Sequence, residues 1–155
     1  LLHQLKLLRA KGKTLPKVHF FEGVEGVKQA YEDTLENNQG KVLKDISGVD
    51  AAFERLGEEW ATYYLKKRTR LGIKCVDLAP ESEWAHKNKE NDKKYLRTTK
   101  LLPAKYGFDA ELALYDNKIG IFSYAQENPI ALIIEDDTVS DMMQKLFDCL
   151  ETVAR

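Results

Sequence analysis

The sequence predicts an α/β fold: a mixed, mostly parallel sheet flanked by helices, with a late antiparallel hairpin and a C-terminal amphipathic helix. Three observations predict it. Short apolar runs alternate with helical periodicities from Val18 to Tyr95, and strand-helix-strand alternation implies parallel strands joined by crossover helices. The stretch Phe108–Tyr124 reads as a hairpin, with alternating residues either side of Asp116-Asn117, two residues that tolerate a positive φ. Val139, Met142, Met143, Leu146, Phe147, Leu150 and Val153 then recur at helical spacing and close the chain.

In chain order, Leu1, Leu2, Leu5, Leu7 and Leu8 open in a helical rhythm with no N-cap and no initiator Met, as the tail of a longer helix would. Leu1, Leu5 and Leu8 share one stripe and are the expected dimerisation contacts. Gly12 and Pro16 end that helix, and Val18–Phe21 follows as a short strand. Val24, Val27, Tyr31, Thr34 and Leu35 mark an amphipathic helix stopping near Asn38–Gly40, and Lys41–Ser47 is the second strand. Phe53, Leu56, Trp60, Tyr63 and Tyr64 form the stripe of one further helix, capped by Gly72, before a third strand over Ile73–Ala79. Trp84–Tyr95 reads as a charged surface helix. Ile130–Ile134 reads as a strand buried on both faces, and Thr138 with Asp141 as the start of the last helix.

A chain of 155 residues that is 43% hydrophobic suits one compact domain with a core of its own. Its 24 basic and 25 acidic residues nearly cancel, so no global field draws it to nucleic acid or membrane. No apolar run approaches a bilayer span. Cys75 and Cys149 are too few and too isolated for a disulfide framework or a zinc site, which favours a reducing, cytoplasmic setting. No P-loop, dinucleotide fingerprint or nucleophile elbow is present, and no cofactor or metal is expected.

Two features carry chemistry. Asp109 and Glu111 sit two apart on one face of the hairpin's first strand; they can bind a cation or a sugar hydroxyl, share a proton, or merely form the wet side of a sheet. Two basic runs, Lys66–Arg70 and the group Lys87, Lys89, Lys93, Lys94 and Arg97, can contact phosphates. A solvated, salt-bridged face explains them more simply.

The segments Leu15–Val27, Tyr64–Lys74 and Asp116–Ile121 resemble, in order, the effector domain of TrmB-like transcriptional regulators. That resemblance implies one half of a phospholipase D-like fold over 17–155, preceded by the end of a linker and dimerisation helix over 1–12. In the family a winged helix-turn-helix comes first and contacts DNA, and it is expected upstream of this chain. Phospholipase D-like enzymes carry a His, a Lys and an Asp at fixed spacing. With the Asp laid on Asp116, the His position falls on Asp109 and the Lys position on Glu111. A carboxylate attacks an anionic phosphodiester poorly, and a second one repels the phosphate.

The expected function is therefore a non-catalytic ligand-sensing and dimerisation domain of a prokaryotic DNA-binding regulator. Its partners would be a second copy of itself, an unidentified small-molecule effector, and DNA only through the upstream domain, with no membrane. The expected ligand residues are Asp109, Glu111, Glu22 and Ser47. The rival readings are a divergent phospholipase D-like phosphodiesterase and a nucleic-acid-binding module built on the basic third helix.

Overall fold

The computed structural model describes residues 15–125 and 127–155, so the leading helix with Leu1, Leu5 and Leu8 lies outside the described residues. The elements are β1 (Lys17–Glu22), α1 (Gly23–Glu36), β2 (Val42–Ser47), α2 (Val49–Leu56), α3 (Glu58–Arg70), β3 (Lys74–Pro80), α4 (Glu83–Glu90), β4 (Arg97–Leu102), β5 (Ala110–Tyr115), β6 (Lys118–Ser123), β7 (Ile130–Glu135) and α5 (Asp137–Glu151). The strands form one sheet in the order β1-β7-β6-β5-β2-β3-β4.

The α/β class and the mixed sheet are as expected, but the sheet is mostly antiparallel. Only β2-β3 and β3-β4 pair in parallel; β5, β6 and β7 form a meander, β1 adds antiparallel outside β7, and β5 runs antiparallel to β2. The alternation of strands and helices implies a parallel β1-β2 pair. Instead the whole meander separates the two, because β1 returns to the far edge.

Other differences have local causes. The single long helix breaks into α2 and α3 at Gly57, whose φ of 87° and ψ of 156° lie in a region open essentially to glycine alone. The charged helix stops at Glu90, and the chain re-enters the sheet as β4, an edge strand of sequence RTTKLL whose polar residues hide its alternation. The last helix is capped by Asp136, whose carboxylate accepts from Val139 N at 2.8 Å, and not by Thr138.

Alternation sorts the sheet into two faces. Leu114, Ile119, Leu78 and Leu102 point to one side and pack under Phe147 of α5, with Val139, Met143 and Leu150 completing the stripe. Ala113, Phe122, Ala131 and Ile133 point to the other, under Val27, Ala30 and Tyr31 of α1, with Trp60 and Tyr64 of α3 beside them. Ala85 of α4 packs against Ala79 and Val49 on that same face. Four helices thus crowd one face, and the candidate site lies beneath them.

Candidate functional site: a buried acidic cleft

Strand register assembles the site. Asp45 and Asp77 are direct partners across the parallel β2-β3 pair, and Ser47 faces Glu111 across the antiparallel β2-β5 pair. Neighbouring strands lie about 4.8 Å apart, so these carboxyl groups are adjacent. The sheet supplies the floor, and Phe53 and Leu56 of α2 with Trp60, Tyr64 and Arg68 of α3 supply the roof of a partly open cleft of about 110 Å³. Gly48 shapes the rim: its N–H donates to Ala110 O at 2.8 Å, and a Cβ there would lie 2.2 Å from Phe108 O.

Hydrogen bonds satisfy most of the cluster. Ser47 Oγ donates to Asp77 Oδ1 at 2.5 Å. Cys75 Sγ donates to Asp45 Oδ2 at 3.3 Å. Tyr31 donates its hydroxyl proton to Glu111 Oε2, which leaves Tyr124 as the donor to Tyr31. Thr34 donates to Tyr31 O and therefore receives from Tyr64, both at 2.6 Å. Asp45 Oδ1 is the exception, a buried oxygen with no partner among the described residues.

The arginines of the cleft are held from behind. Arg68, only 1% exposed, donates to Ile73 O at 2.8 Å and Tyr95 O at 2.6 Å, tying α3 to the start of β3 and the turn before β4. Arg97 donates to Asp92 Oδ1 at 2.8 Å and to Asn88 O at 2.5 Å.

Burial dominates the titration of these groups. It pushes Asp45 up to about 7, with the Asp77 charge adding to the rise and the Cys75 thiol, Arg68 and Arg97 opposing it. Burial raises Asp77 to about 6 against the Ser47 hydroxyl and Arg97. Burial and then the Asp45 charge hold Glu111 well above the usual carboxylate range, while the Tyr31 hydrogen bond works the other way. Burial likewise raises the Cys75 thiol and the Tyr31, Tyr64 and Tyr124 phenols, so all four stay protonated at neutral pH. Carboxyl groups poised near neutrality can exchange protons with a ligand or a reacting group.

The structure brings together two of the residues expected to bind ligand, Ser47 and Glu111, and separates the other two. Asp109 precedes β5 and is exposed, so the pair Asp109-Glu111 is split. Glu22 is exposed at the end of β1, an edge strand, and does not line the cleft. Asp116, at the β5-β6 turn, accepts from Gln39 N and Gly40 N at 2.8 and 2.9 Å and so fixes the loop between α1 and β2. The basic runs lose members to the fold: Lys67 pairs with Glu32 and Glu36, and Arg68 and Arg97 are buried, while Lys66, Arg70, Lys87, Lys89, Lys93 and Lys94 stay exposed. Sequence reasoning missed Asp45 and Asp77, and it read Arg68 and Arg97 as parts of solvated basic runs rather than as buried residues of a cleft. A usable signal existed, since VLKDIS and KCVDLAP each place one Asp among the apolar residues of a short strand.

No family model matches the sequence, and no curated protein matches it. Solved structures do. TrmBL2, an archaeal chromatin protein whose structure shows a novel mode of DNA binding, shares the fold over 99% of this chain at a TM-score of 0.63 and 15% identity. The chain spans 59% of that protein's length. NucT from Helicobacter pylori shares it over 90% of this chain and 98% of its own, at a TM-score of 0.64 and 12% identity. Nuc from Salmonella typhimurium, a phospholipase D family member, shares it over 91% and 97%, at 0.64 and 7%.

The fold is thus phospholipase D-like. The expectation that the chain is not an enzyme does not stand. It rested on two side chains in one motif register, whereas the fold itself is shared with Nuc and NucT over nearly their whole lengths.

Proposed function

We propose that this chain is the effector-sensing domain of a prokaryotic DNA-binding regulator and that the cleft over Asp45, Asp77 and Glu111 receives the effector. The fold shared with TrmBL2 along 99% of this chain carries the reading. A largely apolar cleft with a few convergent carboxyl groups and an unpaired oxygen supports the choice of site. DNA contact belongs to the upstream winged helix, and the stripe Leu1, Leu5 and Leu8 pairs two copies. An effector acts on DNA binding only if its affinity differs between two arrangements of that dimer.

The test compares DNA affinity of the full-length protein and its Asp45→Asn variant with that of residues 15–155. Salt-dependent binding by the full-length protein that Asp45→Asn shifts, and that residues 15–155 lack, is the expected result. Equal DNA binding by residues 15–155 alone, lost on neutralising Lys89 and Lys93, overturns it.

A second reading has its own support. Nuc and NucT match this chain over nearly their full lengths, and Asp45 and Asp77 titrate near neutrality, where general acids and bases work best. A phosphodiester hydrolase on this scaffold would turn over a generic aryl phosphodiester. Robust turnover that disappears in Glu111→Gln or Asp45→Asn selects it over the sensor.

A further inference from the structure

We propose that the cleft binds a small organic cation, a protonated alkylamine whose ammonium group donates to the open oxygen of Asp45 and whose carbon chain lies against Trp60 and Tyr64. The inference rests on the effector-site reading and adds the chemical class of the ligand.

The missing element in the cleft is a hydrogen-bond donor. Asp77, Glu111 and the second oxygen of Asp45 each have one, from Ser47, Tyr31 and Cys75 respectively. Asp45 is 9% exposed, lines the cleft and keeps Oδ1 unpaired. An ammonium group offers three donors and no acceptor, so it fills this gap without creating another.

Charge points the same way. The lining holds the carboxyl groups of Asp45, Asp77 and Glu111 against the guanidinium groups of Arg68 and Arg97. Arg97 is already paired with Asp92, and Arg68 donates to two backbone carbonyls. As Asp45 and Asp77 ionise they outnumber Arg68, the cation of the lining that has no carboxylate partner, and an added cation restores the balance.

The walls and dimensions narrow the class. Trp60 and Tyr64 of α3 line the cleft, and aromatic rings suit the carbon atoms next to an ammonium centre; the Lys28 ammonium already lies 5.3 Å from the centre of the Trp60 ring. Among the described residues no three His, Cys, Asp or Glu side chains converge to hold a metal ion, which separates an organic cation from an inorganic one. A cavity of roughly 150 Å³ holds benzene, so the 110 Å³ here takes about four or five heavy atoms, with a longer tail free to leave through the mouth.

Binding is linked to protons. The groups that interact with Asp45 are Asp77 and Cys75 from β3, Glu111 from β5, Tyr64 and Arg68 from α3, Tyr124 just after β6, and Arg97 from β4. Without a cation, burial keeps Asp45 and Asp77 partly protonated near neutral pH. An ammonium ion favours their charged forms, so it displaces protons and binds more tightly as pH rises.

The experiment titrates n-propylammonium, the neutral isostere n-propanol and inorganic phosphate into the protein by calorimetry, with NMR shifts of the cleft residues as a second readout. Expected are saturable n-propylammonium binding, roughly tenfold tighter near pH 8 than near pH 5.5, with proton release, and at least about tenfold loss in Asp45→Asn. Equal affinity for n-propanol, unchanged affinity in Asp45→Asn, or no n-propylammonium binding overturns the inference, and the isostere comparison needs no variant. If phosphate or n-propanol is preferred and shifts the cleft resonances, the cation fails while the effector cleft stands. If no probe shifts them, both fail.

Discussion

At Asp45, a carboxylate sits inside the protein with one oxygen unpaired, at a cost in folding free energy. An unfolded Asp titrates near about 3.9; in the folded chain Asp45 titrates at about 7. Between those values the unfolded chain has released a proton that the folded protein keeps, so raising the pH favours unfolding. Below the unfolded value both states are protonated and no cost arises. The cost grows up to about pH 7 and is constant beyond it, at a few kcal/mol. Asp45→Asn is therefore expected to raise the melting temperature by several degrees near pH 8 and by little near pH 4, as paired thermal melts would show. An equal shift at both pH values would contradict the charge-burial account. Tyr31→Phe has the opposite character. It strips Glu111 of its donor and breaks the link to Tyr124, so urea titration should register a loss of about 1–3 kcal/mol.

At the level of elements, the cleft depends on how helices and strands are tied at their ends. Arg68 joins the C-terminal turn of α3 to Ile73 and Tyr95 from a position with almost no solvent contact. Arg68→Met keeps much of the stem but loses both charge-assisted bonds and leaves two carbonyls unpaired. Chemical denaturation should show a loss of about 3 kcal/mol, and Arg68→Lys should recover only part of it, since an ammonium lacks the planar fork that reaches both oxygens. Gly48 is the corresponding point between β2 and β5. A methyl group there would collide with Phe108 O and Ala110 O, so Gly48→Ala must push β5 away from β2. The expected cost is about 1–3 kcal/mol, with displaced NMR resonances for Ser47 and Glu111, the residues that face each other just beside it. Unmoved resonances would mean that the rim yields elsewhere.

For the whole molecule, the sheet has two unequal sides: α5 alone covers one, and α1 to α4 crowd the other. The crowded side holds the cleft, so an occupant there presses on α2 and α3, the helices that roof it. Sedimentation equilibrium of the full-length protein is expected to give a dimer, and replacing Leu1, Leu5 and Leu8 together by Ser should give monomers. A wild-type monomer at high concentration removes the dimeric route. Among the described residues no helix is long and apolar enough to cross a membrane.

What the sequence by itself determined was periodicity. Alternation in β5 and β6, the apolar run of β7 and the spacing Val139, Met143, Phe147, Leu150 assigned those elements. Glu111, Ala113 and Tyr115 were legible as one side of a strand. Which side is dry was not, because a period of two is the same for a wet face and a buried one. α1 and α3, contributed by distant stretches of chain, decide that by covering Ala113 and Tyr115, and they turn Glu111 from a surface acid into a buried one. Asp45 and Asp77 were visible as single acids in two apolar strands, but only the parallel register of β2 and β3 sets them side by side. Strand order has no local signature, since it reflects which long-range pairings bury most apolar surface and leave fewest backbone groups unpaired. For the same reason the acidic cleft, made from three separate strands and roofed by two helices, belongs to the tertiary structure alone.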